Sequence, residues 1–240
     1  QPHMKGWEPW HLNLKEMVKK NHKVKYEVLI KCVDQYVEFL IQNLSQDEIS
    51  MVHIYDLDTA INGSPGVTYV DKLKRNTSAG FPYKKSKRYF LRKVESEVHQ
   101  DAVDINDEIK EDVERIINSY LKGETVRPIF SNSMKDEPLP KKKVDMKKIR
   151  LFSGGPMAWS ISMRMLFLSS IRLIQANRGI FKCQPGTIAQ SPEWEALYRR
   201  ITKFGVDRII AGDYGKYDKR MIPVFISLSF EVIIKLNQHA

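Results

Sequence analysis

Two aspartates, Asp213 and Asp218, follow a short β-branched apolar run, Ile209-Ile210-Ala211, across a turn that includes Gly212 and Gly215. A run of that length and branching is the pattern of a buried strand, and the glycine and aromatic residues after it suit a tight turn. The spacing predicts a strand that ends at Asp213, with Asp218 one turn later facing the same cleft. Pro223 then opens an apolar helix. Strand, turn and helix in succession point to a mixed α and β fold. The chemistry is constrained too. A hard cation such as Mg²⁺ takes carboxylate oxygen together with water and substrate phosphates, so a strand-end aspartate is the kind of ligand a phosphoryl-transfer site uses. Many Asp-rich turns only satisfy their own backbone amides, and the residues upstream have to separate the two readings.

Upstream, Val28, Leu29, Cys32, Tyr36, Leu40 and Ile41 recur at helical intervals and predict an amphipathic helix. Turn formers fill residues 56–94. An acidic helix is expected over residues 101–122, with Val103, Ile109, Val113, Ile116, Ile117 and Tyr120 as its apolar stripe and Gly123 as its C-terminal cap. Arg127-Pro128-Ile129-Phe130 suggests a strand. Residues 156–178, rich in Met and Leu, read as a buried helix with Arg164 and Arg172 at its margins. A turn at Pro185-Gly186-Thr187 and a helix from Trp194 to Ile201 precede the expected Asp213 strand.

Charge narrows the class of partner. The 240 residues hold 39 Lys and Arg against 29 Asp and Glu, a formal charge of +10, which points to a polyanion. Nucleic acid is favoured over an anionic membrane by where the cations sit. Lys141, Lys143 and Lys147, with Lys148 and Arg150, recur at even spacing, so an extended hairpin would direct a row of cations to one side. Arg150 offers a planar fork for phosphate, while Lys143 and Lys148 act as point charges. Thr77-Ser78-Ala79-Gly80 provides hydroxyls and a close-approach glycine. The next cations, Lys84, Lys85, Lys87, Arg88, Arg92 and Lys93, interleave with Tyr89 and Phe90 as in single-strand grooves. Cys32 and Cys183 lie too far apart in sequence to suggest a disulfide framework or a zinc site, and a reducing cytosolic setting fits. The most apolar stretch, Val224 to Leu236, is too short to span a bilayer, so no transmembrane segment is expected.

In this order, Asn76 to Tyr83, then Lys135-Asp136-Glu137 with Lys143, Lys148 and Arg150, then Asp213 to Asp218, the motifs resemble those of the RNA-dependent RNA polymerases of picorna-like positive-strand RNA viruses. The resemblance implies an α+β right-hand polymerase of which this chain holds the fingers (1–205) and the first palm strand and helix (206–240). Within the fingers it implies an N-terminal helical region (1–55), a template-guiding loop (56–94) and a basic hairpin (127–152). It further implies that Asp213 binds the catalytic metals, two Mg²⁺ or Mn²⁺ ions in the complete enzyme, and that Asp218 senses the ribose 2′-hydroxyl. Lys143, Lys148 and Arg150 would grip the triphosphate, and Thr77, Ser78 and Gly80 would guide the template. The implied partners are RNA template and primer, nucleoside triphosphates and other polyprotein-derived replication proteins, in membrane-associated complexes of the host cytoplasm. The implied Gly-Asp-Asp hairpin is missing, so a fragment unable to polymerise by itself is expected, with the Val224–Leu236 helix lacking its palm partners, exposing apolar surface and prone to aggregate. Two rivals remain at this level: a non-catalytic basic RNA-binding module, and a phosphatase or nuclease built on Asp213.

Overall fold

The computed structural model describes residues 6–20 and 23–239. Helices run in the order α1 (Glu8–Met17), α2 (Tyr26–Asn43), α3 (Gln46–Ser50), α4 (Leu57–Asn62), α5 (Asp107–Leu121) and α6 (Lys141–Asp145). After them come α7 (Met157–Ala176), α8 (Arg178–Phe181), α9 (Pro192–Ile201), α10 (Tyr217–Arg220) and α11 (Pro223–Asn237). Strands β1 (Leu91–Lys93) and β2 (Val103–Ile105) form one antiparallel pair, and β3 (Ser131–Met134) and β4 (Leu151–Gly154) another. The chain divides into two compact units, Gln1–Lys20 with Ser50–Arg172, and Asn21–Ile49 with Leu173–Ala240.

The first unit is built around Ile61, Phe90, Ile105, Ile109, Val113, Met157 and Ile161, drawn from α4, the β1–β2 pair, α5 and α7. Full burial of an isoleucine such as Ile105 or Ile109 contributes about 1.5–3 kcal/mol. Helix α5 starts later than its stripe suggests. Val103 and Ile105 are buried and Asp104 between them is half-buried, a period-2 pattern that pairs Lys93 with Val103 and Leu91 with Ile105. Asn106 then accepts from the Ile109 N–H and caps the helix, whose first turn carries Asp107 and Glu108 where the helix dipole favours them. At the far end the Gly123 N–H bonds to Tyr120 O and the Glu124 N–H to Ser119 O, the two bonds of a Schellman motif.

Other boundaries also move. The strand expected at Arg127–Phe130 begins instead at Ser131, because Pro128 has no N–H for a ladder and Phe130 turns its ring edge-on to Trp159 at 5.2 Å. Helix α7 is the one helix among the described residues long and apolar enough to cross a membrane. Its buried Met157, Ala158, Ile161, Ser162 and Leu168 make it a core helix.

In the second unit α2 and α11 pack through Val33, Val37 and Leu228, flanked by Leu29, Ile41, Val224 and Val232. The stripe that includes Val28 and Cys32 is thus displaced, and both of those residues are exposed. Periodicity marks an amphipathic helix, but the partner helix selects which of two adjacent rows is buried. Helix α11 is thus covered on one face, while the apolar surface expected to be exposed runs along another row, Ile226, Phe230 and Ile234. The strand expected at Ile209–Ala211 does not form. Residues 206–216 are irregular and Ile210 is 98% exposed. A strand gains its stability from a ladder partner and a covered face, and no described strand pairs with this segment.

Candidate functional site

The Thr77–Gly80 loop is held from three sides. Ser78 bridges Ser86, the Ala79 N–H bonds to Lys85 O at 2.8 Å, and the Lys87 N–H bonds to Thr77 O at 2.9 Å. The Met157 N–H, at the start of α7, bonds to Ala79 O at 2.8 Å. Gly80 sits at φ +75°, and a Cβ there would lie 2.5 Å from Gly155 O. Ala79 and Gly80 are buried while Thr77 and Ser78 are exposed. The backbone is thus fixed and Thr77 and Ser78 are presented at the surface, with the Ser78 hydroxyl oxygen accepting from the Gly80 N–H at 3.1 Å and its proton left to donate, an arrangement suited to backbone contacts with nucleic acid.

Behind the loop stand two cations. Lys87 Nζ donates to Thr77 Oγ1 at 2.9 Å, and Thr77 Oγ1 donates to Lys74 O at 3.3 Å. Burial, reinforced by the charge of Arg164, pushes the Lys87 ammonium below the usual lysine range. Arg164 Nε donates to Ala60 O at 2.6 Å, its Nη2 donates to Asp71 O, and burial lowers its pKa as well. Two half-buried like charges, with backbone and hydroxyl oxygens as their hydrogen-bond partners, make a place where an arriving anion is favoured. The sequence showed Lys87 only as one cation in a basic run and Arg164 only as a helix margin. Lys85 lies 5.8 Å from the ring of Tyr89, which is 75% exposed, so the run does interleave cation and aromatic. Tyr83 anchors the end of the loop by donating to Asp112, which also accepts from Arg115; burial and that carboxylate drive the phenol pKa upward.

The basic hairpin takes a different form from the expected row. Lys141 and Lys143 lie on the helical turn α6, and Lys147 is left-handed at φ +53°. Pro138 and Pro140 cannot donate to a ladder, so the β3–β4 pairing closes between Met134 and Leu151. The even-spacing argument holds only for extended chain. Lys143 and Lys148 are nevertheless neighbours, since the Lys148 N–H bonds to Lys143 O at 2.9 Å, and both are exposed. Arg150 turns its fork onto Glu137, with Nε to Oε1 at 2.7 Å and Nη2 to Oε2, while Lys135 Nζ lies 3.3 Å from the same carboxylate. Arg150 first, then Lys135, holds the Glu137 carboxyl down at about 2. This pairing was not legible in the sequence, where Glu137 was only part of Lys135-Asp136-Glu137.

The first unit thus brings the loop and the hairpin base together, because Gly80 rests on Gly155, the residue after β4. Asp213 and Asp218 belong to the second unit. Asp213 is exposed on the irregular segment, and Asp218 occupies the first turn of α10 with Lys219 Nζ 4.0 Å away. No group of three or more His, Cys, Asp or Glu able to hold a metal ion occurs among the described residues. An exposed carboxylate fits one ligand position of Mg²⁺, whose other ligands are commonly water and phosphate oxygen; the described residues do not assemble a two-ion site.

The chain is similar to known proteins. The replicase polyprotein of Cricket paralysis virus is 30% identical over 176 residues, covering 72% of this chain and 10% of the polyprotein. The RNA1 polyprotein of Cowpea mosaic virus is 30% identical over 188 residues, covering 73% of the chain and 10% of its own length. In fold, the chain matches the Sicinivirus 3Dpol RNA-dependent RNA polymerase with a TM-score of 0.75 at 20% identity, over 98% of this chain and 46% of that one. The chain therefore spans about a tenth of these two polyproteins and under half of the solved polymerase. The viral RNA-dependent RNA polymerase family profile matches residues 1–239, and the chain belongs to that family.

Proposed function

We propose that this chain is the fingers and first palm segment of an RNA-directed RNA polymerase, which transfers a ribonucleoside monophosphate from its triphosphate to an RNA 3′-hydroxyl. The observation that carries the reading is the exposed Thr77-Ser78 pair on a fixed backbone, with Lys87 and Arg164 half-buried behind it. Template phosphate would take hydrogen bonds from Ser78 and Lys87, offsetting the repulsion between the two cations. Lys143 and Lys148 attract the triphosphate as point charges, and Arg150 reaches it by exchanging the Glu137 carboxylate for a phosphate oxygen, both of which its fork fits. Asp213 would hold a magnesium ion through one carboxylate. When bound, that ion neutralises charge on the triphosphate oxygens. Asp218, on the next helical turn, would accept from the ribose 2′-hydroxyl.

By itself the chain would bind RNA and nucleotide without extending a primer, because the carboxylates a two-ion site requires are not gathered among its described residues. The test belongs in a full-length polymerase that carries this segment. Asp213→Asn is expected to abolish nucleotide addition, and Asp218→Ala to retain it while admitting deoxyribonucleotides. Full activity of the first variant, or equal loss of both sugars in the second, would refute these roles.

A further inference from the structure

We propose that Asp101, in the turn that leads into β2, is a positioning residue for the loop that bears Thr77 and Ser78; this rests on the reading of that loop as a template contact. Arg75 stands just before the loop, and its guanidinium is splinted on two sides. Nη1 donates to the Asp101 backbone carbonyl at 2.7 Å and to its carboxylate at 3.1 Å, and Nη2 donates to Asn62 Oδ1 at 2.9 Å. Asn62, only 5% exposed, is fixed in turn: its amide donates to Asp58 Oδ1 at 2.7 Å and Val103 O at 2.9 Å, and its oxygen accepts from the Val103 N–H at 3.1 Å. Lys72 donates to the same Asp101 carboxylate at 2.7 Å.

Asp101 therefore gathers two cations from the segment that enters the loop and ties them to a hairpin rooted in the core. Its side chain is 57% exposed, so these ion pairs add little to global stability. What they set is direction. A planar guanidinium gripped by a carboxylate, a carbonyl and an amide has one orientation, and the backbone it belongs to leads straight into Asn76 and Thr77.

The inference makes a prediction opposite in sign to simple electrostatics. Asp101→Asn removes a negative charge, so charge alone predicts tighter RNA binding; loss of positioning predicts weaker binding. The measurement is the affinity of a labelled single-stranded RNA oligonucleotide for the full 240-residue chain across a salt series. Asp101→Asn is expected to weaken binding about fivefold with an unchanged salt slope, because no phosphate contact is lost. Asp101→Glu should retain affinity. Arg75→Lys, which keeps the charge but not the fork, should weaken it too and serves if Asp101→Asn does not fold. The double variant Thr77→Ala/Ser78→Ala provides the separate check. If the double variant binds like the parent, the template reading fails. If it binds weakly while Asp101→Asn or Arg75→Lys binds as well as or better than the parent, positioning by Asp101 is overturned and the template reading stands.

Discussion

Replacing Gly80 by alanine is expected to destabilise the first unit by about 2–4 kcal/mol. The magnitude has two parts. A side chain at φ +75° costs about 1–2 kcal/mol in backbone strain, partly offset because alanine loses less chain entropy on folding than glycine does. The second part is steric. The new Cβ would lie 2.5 Å from Gly155 O and 2.9 Å from Gly155 C, backbone atoms that cannot rotate away, and forced shifts of this kind cost about 1–3 kcal/mol. Gly66 isolates the first part, since it has φ +76° and nothing within 4 Å of its Cβ position. Urea unfolding of Gly66→Ala and Gly80→Ala, followed by circular dichroism, should give a lower midpoint for the Gly80 variant with little change in slope. Equal midpoints would show that the loop is not clamped against Gly155, and the case for a fixed Thr77-Ser78 pair would fall with it.

Three further outcomes concern charge. Glu137→Gln should raise affinity for nucleoside triphosphate, because Arg150 then loses its internal carboxylate; calorimetric titration showing unchanged affinity would remove Arg150 from the phosphate site. The folded Glu137 carboxyl lies at about 2, below its unfolded value, so its pairing stabilises the hairpin above the ordinary carboxylate range. That contribution disappears as pH falls from about 4 through 2. Lys87 has a depressed pKa and sheds its proton earlier than an ordinary lysine as pH rises, so RNA affinity should decline on the alkaline side before the other lysines titrate. In Lys87→Arg that early decline should vanish, and identical pH profiles for the two proteins would contradict a phosphate contact at Lys87.

Elements whose stability is local were legible in the sequence. The periodicity that predicts α5 and the Pro at the start of α11 are read within a dozen residues, and the structure places those helices where the signals lie, apart from the Val103 end of α5. What depended on a distant partner was not. The row of α2 that becomes buried is chosen by α11, and Ile209-Ile210-Ala211 satisfies every local criterion for a strand yet has no described strand beside it. In the proposed site, residue type alone singled out Thr77, Ser78 and Arg150 as candidates for phosphate. The contacts of Glu137 with Arg150, of Lys87 with Thr77 and of Asp101 with Arg75 are made at the level of the fold and leave no mark in the local sequence.

The division of the chain into interleaved units has a consequence for synthesis. Lys235 of α11 pairs with Asp34 of α2, partners 201 positions apart. At a ribosome adding about 5–20 residues per second, α2 emerges about 10–40 seconds before the helix that covers Val33 and Val37 exists. During that interval an apolar seam waits uncovered, so the nascent second unit is a natural client for a chaperone, and slow translation between the two helices would lengthen its exposure.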